Sequence, residues 1–206
     1  MPVRKLKPIT PGQRFRIVNE YSEITTSNPE KSLLKTIKKT GGRNNQGRMT
    51  MRYKGGGHKK RYRIIDFKRD KYEMDAEVLS VEYDPFRSAF ISLVKYKDGE
   101  KRYILALKGL KVGTKLVSAK SAPPNIGNCM QLANIPLGTT ITCIEMTPGK
   151  GATLARSAGS YAQLMAKEGK FVTIKLPSGE TRLVLASCFA TIGAVSNSDH
   201  QLTVSG

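Results

Sequence analysis

The sequence predicts a mostly-β protein in which a basic, extended N-terminal arm precedes two small β barrels. Three observations support this fold class. Residues 31–65 contain no Asp or Glu and six glycines. After residue 60, short apolar runs are separated by turns rich in Gly, Pro and Asp. No segment keeps the apolar period of a long helix. We place the arm at residues 1–60, the first barrel at 61–122 and the second at 123–206.

Charge and glycine, rather than hydrophobic residues, define the arm. Residues 31–63 carry 12 Lys and Arg, and a segment so basic with so little to bury needs a polyanion to hold one shape. Four prolines before residue 30 predict an extended chain. Within it we expect a short strand at 15–18 and, further on, one or two helical turns at 32–37.

The first barrel is predicted from five short strands and one hairpin. Asp98-Gly99 lies between two of the strands and favours a tight turn, because both residues accept positive φ. A Pro-Pro segment at 121–125 is the best linker candidate. The five predicted strands are 62–67, 77–83, 89–96, 101–107 and 111–117.

The second barrel repeats this pattern. Residues 171–176 and 181–186 flank Pro177 to Glu180 and predict a second hairpin. The composition of 161–167 fits a helix or a strand equally well. Oligonucleotide-binding and SH3-like barrels are the common architectures at this size. Further strands are predicted at 139–146, 190–195 and 201–204.

The charge balance restricts the partners. The net charge is +19 and the pI about 10.0, which favours nucleic acid or an anionic membrane. Residues 1–75 hold 20 Lys and Arg against 7 Asp and Glu, and residues 76–206 hold 15 against 9. No apolar run approaches the roughly 20 residues of a membrane span, and no signal peptide is visible. We therefore expect a cytoplasmic protein with no membrane partner.

Metal and catalytic chemistry have little support in the sequence. The three cysteines, Cys129, Cys143 and Cys188, are odd in number and contain no Cys-x-x-Cys pair, so we expect neither a disulfide scaffold nor a zinc site. His58 and His200 have no nucleophile beside them in sequence. We expect no catalytic residue, no metal and no cofactor.

The arm has the chemistry of a nucleic-acid interface. Arg and Lys neutralise phosphates, and glycines let the backbone come close to a strand. Asn44, Asn45 and Gln46 offer donors to base edges or 2′-hydroxyls, while aromatic side chains such as Tyr53 and Tyr62, and the ring of His58, stack on unpaired bases. The alternative is a solvated, disordered tail, which such a long acid-free run makes the weaker hypothesis.

A second loop, at 146–159, is ambiguous on its residues alone. Its small residues with Lys150 and Arg156 suit contact with a sugar-phosphate backbone and suit a plain loop equally well. The loop fails the spacing of a nucleotide-binding P-loop, because Lys150 is followed by Gly151 and Ile144 stands where that motif has its first Gly.

Motifs along nearly the whole chain, in one order, resemble the universal ribosomal large-subunit protein two family of bacteria. Each is weak alone, and together they are specific. They are Gly-Arg-Asn-Asn-x-Gly-Arg at 42–48, Gly-Gly-Gly-His-Lys-Lys-x-Tyr-Arg-x-Ile-Asp-Phe-Lys-Arg at 55–69, Asp-Pro-x-Arg-Ser-Ala at 84–89, Asp-Gly-Glu-Lys-Arg-Tyr-Ile at 98–104, Ile-Pro-x-Gly-Thr at 135–139, the loop at 146–159, Ala-Lys-Glu-Gly at 166–169 and Ala-Thr-Ile-Gly at 190–193.

The resemblance implies an N-terminal extension, an oligonucleotide-binding-like barrel and then an SH3-like barrel. It implies primary binding to large-subunit ribosomal RNA near the peptidyl transferase centre, with roles in subunit assembly and joining. Other ribosomal proteins and, across an intersubunit bridge, the small subunit are the implied partners. The family's basic RNA contacts match Arg69, Lys71, Arg87 and Arg156, which favours backbone contact for the loop at 146–159.

The sequence departs from the family pattern in two places. Thr142-Cys143 stands where relatives commonly have His-Asn, so no metal or base role is assigned there. Relatives continue into a long basic, glycine-rich tail with a histidine, whereas the sequence stops at Gly206. No residue here is credited with the function of that tail.

We therefore predict a non-enzymatic ribosomal RNA-binding protein. One alternative is a general nucleic-acid chaperone on the same barrels. Another is direct catalysis of peptide transfer, which lacks a suitable titrating group. The predicted RNA-contacting residues are Arg43, Asn44, Arg48, Arg52, Tyr53, Gly55, Gly56, Gly57, His58, Lys59, Lys60, Arg61, Arg63, Arg69, Lys71, Arg87, Arg102, Lys150 and Arg156.

Overall fold

A computed structural model describes residues 3–206, so the first two residues of the predicted arm lie outside it. The described chain is mostly β, with four 3-10 turns at Pro11–Gln13, Lys31–Leu33, Leu132–Asn134 and Ser198–Leu202. The strands are β1 (Val3–Lys5), β2 (Ile17–Asn19), β3 (Leu34–Thr36), β4 (Arg61–Arg63), β5 (Asp75–Glu82), β6 (Ile91–Tyr96), β7 (Lys101–Leu105), β8 (Lys115–Val117), β9 (Cys129–Gln131), β10 (Thr140–Thr142), β11 (Ala162–Glu168), β12 (Phe171–Lys175), β13 (Thr181–Leu185) and β14 (Phe189–Ile192).

The arm contains two short antiparallel ribbons, β1–β2 and β3–β4. The strand predicted at 15–18 is confirmed, but it lies slightly later in the chain, at Ile17–Asn19. The helical turns predicted at 32–37 are wrong beyond Leu33, because β3 pairs with β4 and Ile64 N donates to Leu33 O over 3.0 Å. A one-turn helix is unstable alone, so partnered strand hydrogen bonds prevail.

The first β unit is an antiparallel sheet in the order β7-β6-β5-β8. The predicted hairpin is confirmed: β6 and β7 pair, and Gly99 has φ +86°. The strand predicted at 62–67 is too long and has a different partner, since it ends at Arg63 and joins the arm ribbon. Ile65 makes only a parallel bridge to Tyr103 in this sheet.

The second β unit is a six-stranded sheet in the order β13-β12-β11-β10-β14-β9. The hairpin of β12 and β13 is confirmed, and the ambiguous segment 161–167 is strand β11, which pairs with β10 and β12. The strand predicted at 201–204 is wrong, because a 3-10 turn occupies Ser198–Leu202. The strand predicted at 139–146 ends early, where Cys143 turns to φ +50°.

The two units pack against each other through shared hydrophobic residues. Val195 of the second unit is fully buried among Ile65, Ile91 and Tyr103 of the first. Leu107 bridges to Val195, and Ser118 bridges to Cys129, so backbone pairing also crosses the junction. The second unit has its own larger core, which includes fully buried Met130, Leu132, Ile141, Leu164 and Ile174. The junction fixes how surface loops of the two units face one another.

Candidate nucleic-acid interface

The basic segment at residues 31–63 presents its positive charge without acidic partners in the described chain. Of the 12 Lys and Arg in residues 31–63, all but the half-buried Arg63 are exposed. No salt bridge within residues 3–206 involves any of them. Most of these charges are therefore available to an external anion.

Local hydrogen bonds, rather than a core, shape the glycine-rich part of the arm. The Lys39 ammonium donates to the carbonyls of Gly56, Gly57 and His58 over 2.9–3.2 Å. Asn44 Oδ1 accepts from the backbone N–H of Arg48 at 2.9 Å. Gly42 is buried with φ +76°, and a Cβ there would lie 2.2 Å from Met51 O, so only glycine fits this turn.

The aromatic side chains predicted to stack differ in exposure. Tyr53 is 96% exposed, with the Arg52 guanidinium carbon 5.4 Å from its ring centroid. Tyr62 instead packs edge-on against Phe86, with ring centroids 5.4 Å apart. Tyr53 thus offers a free face in the middle of the basic segment, whereas Tyr62 is partly occupied within the protein.

Arg87 and Arg156 converge from the two β units on Phe67. The guanidinium carbon of Arg156 lies 4.8 Å from the Phe67 ring centroid, and that of Arg87 lies 5.8 Å from the same point. Arg87 Nε also donates to the buried carboxylate of Asp84 over 2.5 Å. The sequence predicted both arginines but not Phe67, whose position inside a matched motif was the only available signal.

Lys71 and Arg102 lie in a network of carboxylates on the first unit. Lys71 pairs with Asp98 and Glu100, and their hydrogen bonds raise its pKa. Arg102 pairs with Glu100 and also with Asp66 and Asp70. Burial lowers the pKa of Arg102, but these hydrogen bonds outweigh it and the net shift is upward. Both side chains stay charged while protein anions neutralise them locally.

Arg69 is separated from the other predicted contacts because it is only 7% exposed. Its Nε donates to Ser118 Oγ over 3.0 Å and its Nη1 donates to Gly127 O over 2.9 Å. Ser118 ends the first unit and Gly127 precedes β9 of the second. The guanidinium therefore connects the two units from inside the junction.

The loop at 146–159 is held by a carboxylate that the sequence did not single out. Glu145 is buried, and its two oxygens accept from the backbone N–H groups of Gly151 at 3.0 Å and Phe189 at 3.1 Å. Ala152 N donates to Phe67 O over 2.8 Å, which fixes the loop beside the two converging arginines. Lys150 and Arg156 remain exposed on it. The only feature of the sequence that indicates this role of Glu145 is its position as a single acidic residue directly before a glycine-rich loop.

The three cysteine thiols lie where the thiolate form is disfavoured. Burial raises the pKa of all three cysteine thiols, so they stay protonated at neutral pH. Within residues 3–206 no group of three or more His, Cys, Asp or Glu is placed to hold a metal ion. No helix in the same range is long and apolar enough to cross a membrane.

Two family models match most of the chain, from residue 30 onwards. Residues 30–118 match the RNA binding N-terminal domain of ribosomal proteins L2, and residues 125–206 match their C-terminal domain. The two β units, with these two matched domains, fit the predicted oligonucleotide-binding-like and SH3-like barrels.

Several curated relatives are similar over the full chain. A large ribosomal subunit protein uL2 of Christiangramia forsetii is 70% identical, covering all of this chain and 74% of the relative. Proteins of the same name from Flavobacterium johnsoniae and Flavobacterium psychrophilum are 68% and 66% identical, each covering all of this chain and 75% of the relative. With both family models matched in order and identities this high, the chain belongs to the ribosomal protein L2 family.

Proposed function

We propose that the chain binds ribosomal RNA as a structural component of the large ribosomal subunit. One observation carries this proposal: the 12 cations of residues 31–63 have no acidic partner in residues 3–206. An unpaired, exposed run of this kind releases counter-ions when it meets phosphates, which is the main source of affinity for nucleic acid. The names of the relatives and of the matched N-terminal domain point the same way.

The arm and the junction serve different purposes in this proposal. The arm supplies phosphate contacts, with Asn44 and Tyr53 placed to meet bases or sugars. Arg87 and Arg156 form a second contact point whose geometry depends on both β units. Lys71, Arg102 and, at the second contact point, Arg87 contribute less per charge than an unpaired cation, because RNA must share them with protein carboxylates.

We further propose a site of action near the peptidyl transferase centre, with contacts to the small subunit across an intersubunit bridge. The support is membership of the family, together with the exposed cations of residues 31–63 that have no acidic partner in residues 3–206. In this proposal the chain is cytoplasmic, supports subunit assembly and joining, and is not an enzyme. Its partners are large-subunit ribosomal RNA and neighbouring ribosomal proteins.

Competition binding tests the function directly. At about 150 mM salt the chain is expected to prefer large-subunit ribosomal RNA over transfer RNA and random duplex by roughly 10³-fold or more, the lower end of specific recognition. Equal binding to all three would instead establish the general chaperone, because phosphate contacts alone do not discriminate between sequences.

The converging arginines give a second expected result. Arg87→Ala or Arg156→Ala should weaken ribosomal RNA binding by about tenfold or more, since each variant lacks a charge-assisted hydrogen bond worth about 1.5–3 kcal/mol. Arg182→Ala is the matched control, because Arg182 is exposed and pairs with Glu180 in a hairpin remote from Phe67. Fluorescence anisotropy measures the affinities, and unchanged binding in both junction variants would refute this contact point.

Glu145→Gln tests whether RNA binding depends on the conformation of the loop at 146–159 rather than on the net charge of the chain. The amide would turn a donor towards backbone N–H groups, so we expect a loss of about 1–3 kcal/mol in the free energy of unfolding. RNA affinity should also fall, although the variant is more positive. Glu168→Gln, at an exposed acid of β11, is the control. Denaturant melts and anisotropy measure both quantities, and tighter binding by Glu145→Gln would contradict the role given to the loop.

A further inference from the structure

A groove of about 420 Å³ lies where the N-terminal hairpin, the first unit and the C-terminal end of the chain meet. Arg16 and Tyr21 line it from the β2 side, Tyr83 and Arg87 from the first unit, and Asn197 and His200 from the second. Its volume falls in the range of about 300–1,000 Å³ typical of sites for small organic groups. It is too narrow a feature for a duplex, whose recognition spans a broad surface.

Hydrogen bonds within the protein hold the walls of the groove together. Asn19 Nδ2 donates to Asn197 Oδ1 over 2.7 Å, and Asn197 Nδ2 donates to Ser88 O over 2.6 Å. Asn19 Oδ1 accepts from Tyr21 N over 2.8 Å. Three separate parts of the chain are thereby joined, and the position of Tyr21 is set by the same asparagine.

Of the seven non-glycine residues with positive φ in residues 3–206, two line this groove. Tyr21 has φ +54° and Asn197 has φ +56°, conformations that non-glycine residues adopt rarely. For a bulky residue such as Tyr21 the surrounding contacts must hold it there, and strained residues of this kind cluster at ligand sites. The strain positions the Tyr21 ring beside Tyr83, with centroids 5.6 Å apart at 80°.

The lining combines exposed aromatic rings with positive charge. Tyr21 and Tyr83 are 46% and 47% exposed. Arg16 is exposed, and no salt bridge within residues 3–206 involves it. Burial raises the pKa of the Tyr83 hydroxyl, so this ring stays neutral at physiological pH. Aromatic faces for a base and arginines for a phosphate are groups that recognise unpaired RNA.

We propose that this groove binds one unpaired nucleotide of large-subunit ribosomal RNA, with the base against Tyr21 and Tyr83 and its phosphate at Arg16 and Arg87. The inference rests on the proposed function and adds a defined site that lies outside the glycine-rich segment at residues 31–63. It predicts that RNA contact extends towards the C-terminal end of the described chain, at His200.

The test uses large-subunit ribosomal RNA carrying 4-thiouridine, cross-linked to the chain and mapped by mass spectrometry. Tyr21 or Tyr83 is expected to cross-link to one or two nucleotides. Tyr21→Ala with Tyr83→Ala should remove that cross-link and weaken binding roughly 5- to 150-fold, the range of one base stacked on an aromatic ring. The double variant Tyr21→Phe with Tyr83→Phe should keep both the cross-link and the wild-type affinity, because the ring faces remain.

Tyr161→Ala is the matched control, since Tyr161 is also about half exposed but lies outside the groove. If the wild-type chain prefers large-subunit RNA while the double alanine variant behaves like Tyr161→Ala, the groove is not a nucleotide site and the proposed function stands. If the wild-type chain shows no preference among the RNAs, both the function and the groove proposal fail.

Discussion

Replacing Arg43, Arg48, Arg52 and Lys54 together with glutamine is expected to weaken binding to large-subunit ribosomal RNA by about 10²–10³-fold at 150 mM salt. All four side chains are exposed, and no salt bridge within residues 3–206 involves them. Log affinity falls linearly with log salt, and each neutralised phosphate adds about 0.7–0.9 to the steepness of that fall. Losing four such contacts should therefore make the slope shallower by about 3. Anisotropy titrations between about 50 and 200 mM salt measure both quantities.

The matched control removes the same charge from elsewhere on the surface. Lys108, Lys111, Lys170 and Lys175 are exposed, lie outside the arm and take part in no salt bridge within the described chain. Their replacement by glutamine should change the slope by less than about 1, as expected for long-range charge without direct contact. Equal effects in the two variants would mean that net charge alone drives binding, which contradicts an interface centred on the arm.

Arg69→Met is expected to lower the free energy of unfolding by about 3 kcal/mol. The methionine fills similar space but leaves Ser118 Oγ and Gly127 O without their charged donor inside the junction. Hydrogen exchange should quicken first at the amide of Ala119, which donates across the junction to Cys129 O, and at the amide of Gly127, which donates to Ile192 O beside it. Denaturant unfolding and exchange measured by mass spectrometry test the two effects.

Lys68→Met is the control for Arg69→Met, because it removes an equal charge from an exposed neighbour and should change stability by no more than about 0.5 kcal/mol. The pair of variants also separates two roles for Arg69. A loss of RNA affinity with unchanged stability would show a direct RNA contact. A loss of stability with quicker exchange would show that Arg69 positions the two β units.

Local chemistry was enough to predict the hairpins but not the ends of the strands. Asp98-Gly99 and the turn at Pro177 to Glu180 specify a reversal whatever surrounds them, and both hairpins are present. Strand β9 was missed because three residues carry no periodic signal, and its partner β14 is about 60 residues away. Residues 32–37 were misread because β4, which pairs with them, lies beyond the glycine-rich loop.

The sequence by itself determined where the positive charge lies, because 12 cations without an intervening acid cannot be neutralised by their neighbours in the chain. It also determined the mostly-β class and the family. Only the tertiary structure decided which predicted cations are free: it buries Arg69, pairs Lys71, Arg87 and Arg102 with carboxylates, and brings Arg87 and Arg156 together at Phe67. The physical reason is that ion pairing and burial depend on distances in space, whereas composition and spacing report only what lies close along the chain.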